Sequence, residues 1–81
     1  MKKNKMWTFE LDPGKNGYLE IHLNKQGISE FIETLENLLT EKGNEHYHLM
    51  TPDWGGDELT LEKQCEENSL IQHVKIYKWE E

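Results

Sequence analysis

Apolar residues occupy every second position at the start of the chain. Trp7, Phe9 and Leu11 alternate with Thr8 and Glu10, the period of a strand with one buried face. The run DPGKNG follows, in which Asp12, Pro13 and Gly14 favour turn initiation and Asn16-Gly17 tolerates positive φ. Alternation resumes with Leu19, Ile21 and Leu23 against Tyr18, Glu20 and His22, so the two runs predict a hairpin. From Ile28 the period changes. Ile28, Phe31, Ile32, Leu35, Leu38 and Leu39 recur at three- and four-residue spacing, while Glu30, Glu33, Glu36 and Glu41 lie off that face. The pattern predicts one helix over Lys25 to Lys42, about 27 Å long, with Asn24 capping its start and Gly43 its end. A third strand is expected at Glu45 to Met50 and a longer fourth at Leu70 to Trp79, with the acidic TLEKQCEENS between them. The order strand, strand, helix, strand, strand defines an α+β fold: a single two-layer domain, with an antiparallel-rich sheet of about four strands and one helix packed on one face.

One helix covers only one side of a sheet. If Leu19, Ile21, Val74 and Ile76 face the helix, the period of two sends Tyr18, His22, His73, Lys75, Tyr77 and Trp79 to the other side. Turning Tyr47 and Leu49 inward adds His46 and His48 to that outer face. Such a face is either a mixed amphipathic surface, with Tyr and Trp at positions that suit them in a sheet, or a contact surface anchored by its aromatics.

Charge narrows the partners. Nine basic and sixteen acidic residues give a net charge of −7, which repels nucleic acid and anionic membrane and attracts basic partners. The single cysteine, Cys65, rules out an intramolecular disulfide and fits a reducing compartment. Met1 to Lys5 is basic but leads into TFELDPGKNG, with no apolar run long enough for a signal peptide or a membrane span, so a cytoplasmic location is expected.

The candidate chemistry is sparse. His46 and His48 on one strand face stand about 7 Å apart at Cα, which permits two metal ligands, with His22 or His73 as a third. The HxH signal is weak without a cysteine pair, and exposed or hydrogen-bonded structural histidines are the simpler reading. Glu62, Glu66 and Glu67 surround Cys65 and would raise its thiol pKa, against a nucleophilic role. Gly55-Gly56 lacks the Lys-Ser/Thr of a phosphate loop and precedes Asp57 and Glu58, which would oppose a phosphate. Neither an enzymatic constellation nor a cofactor motif is present, so catalysis and cofactors are not expected. The two glycines let the chain turn sharply after Pro52 and bring Trp54 back against the domain as scaffold or outward as grip. Burial of a large aromatic favours scaffold for Trp54, and the strand period favours grip for Trp79.

The run HYHLMTPDWGGDELT, followed by a polar segment and then LIQHVKIYKW, resembles the immunity protein 32 family. The likeness is carried most specifically by His46, His48, Leu49, Met50, Trp54, Gly55, Gly56, Glu58 and Leu59. It extends from His46 to Trp79, with only the general strand and helix order in the N-terminal half. It implies a small cytoplasmic protein, encoded beside a toxin of a bacterial polymorphic toxin system, that binds and neutralises that toxin. An acidic domain is well suited to block the basic groove of a nuclease, because complementary fields speed encounter. The residues expected to make the contact are Trp54, Tyr77 and Trp79 as aromatic anchors and Asp53, Asp57, Glu58, Glu66 and Glu67 as acids. Two other readings are a module that dimerises to cover its aromatic sheet face and a small metal-binding protein using His46 and His48.

Overall fold

The computed structural model describes residues 4–14 and 17–80. Strands β1 (Trp7–Leu11) and β2 (Leu19–Leu23) form the expected antiparallel hairpin, with Phe9 opposite Ile21 and Leu11 opposite Leu19. The Asp12 N–H donates to Tyr18 O at 3.1 Å, and Gly17 has the positive φ of 58° that the turn requires. Asn16 of the predicted turn lies outside the described residues.

Helix α1 (Lys25–Thr40) begins where predicted and stops two residues short of Lys42. Asn24 caps it by accepting from Gly27 N–H at 2.9 Å. The same oxygen accepts from Met6 N–H at 3.0 Å, and Asn24 N–H donates back to Met6 O at 3.1 Å. One side chain therefore fixes both the helix start and the approach to β1. Gly27 packs so closely on Met6 that a Cβ there would collide with the Met6 carbonyl oxygen and sit 3.3 Å from Leu23 Cδ2.

After α1 come β3 (Glu45–Met50), a short 3₁₀ turn (Pro52–Trp54), β4 (Ser69–Leu70) and β5 (His73–Lys78). The α+β class and the antiparallel pairing are as expected, but the strands form two sheets: three strands in the order β2-β1-β4, and the pair β3-β5. The Leu70 to Trp79 run is divided because two neighbours hold its two ends. Leu70 pairs with Glu10, and Ile71 N–H donates to Phe9 O at 2.9 Å. At Gln72 the chain changes sheets: its carbonyl accepts from Thr51 N–H at 3.0 Å, and its side-chain oxygen accepts from the Thr51 hydroxyl. From His73 onward it pairs with β3.

Trp7, Phe9, Leu49 and Leu59 form the core, flanked by Leu23, Phe31, Ile71, Val74 and Ile76. The Phe31 ring lies 5.0 Å from the Trp7 ring and 6.1 Å from Phe9. Trp7 Nε1–H, although buried, has no protein partner among the described residues. Only two of the six residues of the predicted apolar face of α1 turn into the core. Leu38 is buried and Phe31 partly so, whereas Ile28, Ile32, Leu35 and Leu39 remain exposed.

Candidate functional site

The division into two sheets also divides the outer face read from the sequence. On the pair β3-β5 the pleat turns Tyr47, Leu49, Val74 and Ile76 one way and His46, His48, His73, Lys75 and Tyr77 the other, as expected. His22 does not join them. It lies on the back of the three-stranded sheet with Thr8, Glu10 and Glu20, and Tyr18 precedes β2.

Six rings form a ladder along the outer side of β3-β5. Trp54 lies 5.7 Å from His73, His73 stacks on His48 at 5.0 Å, and His48 meets His46 edge-on at 5.0 Å. His46 stacks on Tyr77 at 5.0 Å, and Tyr77 on Trp79 at 6.0 Å with planes 11° apart. The register explains the sequence of contacts: His46 is directly opposite Tyr77, and His48 is opposite Lys75 and so diagonal to His73. His48 Nδ1 and His73 Nε2 are 2.8 Å apart, so one ring donates and the other accepts. Partial desolvation among these rings, then the positive charge of His46, His73 and Lys75 when protonated, holds the His48 pKa below its ordinary value.

The glycine loop carries Trp54 to the end of this ladder. Gly56 N–H donates to Thr51 O at 3.0 Å, and Gly55 takes a φ of 90°, which a side chain would oppose. A Cβ on Gly56 would lie 2.5 Å from Met50 O. Beyond the turn, Leu59 is buried and Thr60 N–H donates to Trp7 O at 2.9 Å, so both ends of the loop are anchored. Trp54 is nonetheless 57% exposed, and Trp79 68% exposed. The scaffold reading of Trp54 is thus corrected: Trp7 is the buried tryptophan, and the tight turn presents Trp54 at the surface.

A groove of about 530 Å³ runs between α1 and β3, lined by Thr34, Asn37, His46, Tyr47, His48, Leu49 and Glu58. Met50 N–H donates to Glu58 Oε1 at 3.0 Å and Met50 O accepts from Leu59 N–H at 3.1 Å, so its backbone points away from β5. The pleat aims the peptide groups of His46 and His48 the same way, along the open edge of β3. Of the predicted acids, Asp53 adjoins Trp54 on the loop, Glu58 lies at the groove, and the Asp57 carbonyl accepts from Lys5 Nζ at 2.9 Å. Glu66 and Glu67 are exposed on a separate loop behind the three-stranded sheet.

That second loop is held by Glu10, which the alternation in sequence had marked only as the polar side of β1. Glu10 is completely buried. Its carboxylate accepts from Thr8 Oγ1 at 2.6 Å, Gln64 N–H at 2.9 Å, Asn68 Nδ2 at 3.0 Å and Cys65 N–H at 3.3 Å. Burial pushes its pKa up, but these donors together outweigh burial and bring it to about 2. Asn68 also donates to Glu20 Oε1 at 3.0 Å, and His22 Nε2 lies 2.8 Å from the same oxygen. Ligand atoms of Glu10, Glu20 and His22 lie within 4.8 Å of one another, a spacing a metal could use. Their hydrogen bonds instead give each a structural partner, and with His22 held here the His46–His48–His22 ligand set has no geometric basis.

No helix among the described residues is long and apolar enough to cross a membrane. A small acidic α+β domain with an exposed ladder of aromatic and imidazole rings falls, by comparison with family models, among the immunity proteins. The matching model is Immunity protein 32, over residues 18–74, and the chain belongs to that family. No curated protein and no solved structure matches the chain.

Proposed function

We propose that this immunity protein neutralises a cognate bacterial toxin in the cytoplasm by stoichiometric binding through the outer face of β3-β5. The ring ladder from Trp54 to Trp79 carries this reading, because exposed Trp and Tyr side chains packed against one another are the groups that anchor interfaces. Asp53, Asp57 and Glu58 supply acidic contacts beside the ladder, and Glu66 and Glu67 extend the same field from the second loop. The net charge of −7 favours a basic toxin surface, such as the groove of a nuclease. Occlusion of that groove asks of this chain only that it bind, so no catalytic step is assigned to it.

The test is co-purification with the product of a neighbouring toxin-like gene, followed by calorimetry. Tyr77→Ala and Trp79→Ala should each weaken binding by about 2 kcal/mol or more while leaving the melting temperature nearly unchanged. Trp54→Ala should behave in the same way, because its ring is exposed. Full affinity in all three variants would remove the ladder from the interface.

A further inference from the structure

We infer that the protein pairs with a second copy of itself through an apolar face on the side of the molecule away from the β3 groove. On α1, Ile28, Ile32, Leu35 and Leu39 follow one another at spacings of four, three and four, a single stripe at roughly 100° per residue. Thr34 and Asn37, which line the groove toward β3, lie about 100° or more around the helix from that stripe. The stripe therefore points to the β2 flank. There the sheet is open as well. Leu11, Leu19 and Ile21 share the pleat face of Phe9, which packs under Phe31. Gly27, however, seats the helix over the Met6 and Leu23 end, so these three side chains are left uncovered.

These seven aliphatic side chains are each between 40% and 74% exposed. Together they leave on the order of 600 Å² of apolar surface, at the upper limit for the largest patch of a typical monomer. Two copies would bury about 1,200 Å², the lower bound of a stable interface. Charge selects the occupant. At −7 the chain repels itself over most of its surface, but none of these seven residues is ionisable. A two-fold interface sets a patch against its own image, so a patch without ionisable side chains lets two acidic copies meet with less repulsion than a carboxylate-bearing surface would. A basic toxin would find no carboxylate within it. The spacing also suits an antiparallel pairing of two α1 helices, with Ile32 beside Leu35 of the second copy.

Sedimentation of the full chain across the micromolar range tests this. The wild type should show a concentration-dependent species at twice the 9.7 kDa chain mass. Ile32→Glu, at a half-exposed helix position, should remain monomeric at the same concentrations with its circular dichroism unchanged, and Leu35→Lys should repeat the effect with the opposite charge. Tyr77→Ala should still dimerise, which separates this face from the ladder proposed to bind the toxin. A wild type that stays monomeric throughout, or two charge variants that fold and still dimerise, would overturn the inference. A monomeric wild type whose toxin binding is lost in Ile32→Glu would also overturn it and assign the patch to the toxin.

Discussion

Alanine normally strengthens a helix where glycine stands, by up to about 1 kcal/mol, but Gly27 reverses that sign. Its Cα faces the Met6 carbonyl with no room for another carbon, and the oxygen is already fixed by Asn24 N–H. Relief would require α1 to lift from the Trp7 end of the sheet. Gly27→Ala should therefore destabilise by about 1 kcal/mol or more, read as a fall of several degrees in melting temperature. Ser29→Ala, on the exposed side of the same helix, is the control and should leave it level or raise it. The two loop glycines follow related rules: Gly55 is needed for its left-handed φ and Gly56 for its proximity to Met50 O.

The loop between Leu61 and Asn68 has no strand or helix across most of its length and is shaped by hydrogen bonds to one buried acid. A carboxylate held at a pKa of about 2, against an ordinary 4.5, contributes stability that is fully present above pH 4.5 and is lost as pH falls toward 2. Melting temperature followed down that acid limb should drop in the wild type. In Glu10→Gln that pH-dependent part should be missing, and the Gln64 and Cys65 amides should exchange faster with solvent. This device was not legible in the sequence, since alternation marks Glu10 as polar and hence as facing water, and nothing local signals the donors more than fifty residues away. The hairpin, α1 and β3 were legible because each is declared by its own period and ends. The ladder was legible in part: alternation placed His46, His48, His73, Tyr77 and Trp79 on one side of their strands. It could not show that His22 belongs to another sheet, that Trp54 swings onto His73, or that α1 sits too near one end of the hairpin to cover Ile21 and Leu19. Those facts depend on tertiary placement, which one-dimensional periodicity does not contain.

At the scale of the whole molecule, the proposed toxin contact and the apolar flank use different surfaces, and they should respond differently to salt. Screening beyond a Debye length of about 8 Å weakens attraction between an acidic antidote and a basic toxin, so association rates in stopped flow should fall steeply as ionic strength rises. Flat rates would argue against a basic toxin groove while leaving toxin binding itself intact. The Glu10 anchor separates support from display on the second loop. The second loop is gripped by a residue outside it, through the backbones of Gln64 and Cys65 and the side chain of Asn68. The side chains of Glu62, Glu66 and Glu67 take no part in that grip. Substitution of these acids should therefore leave the bracket that displays them as it is, whatever surface they face.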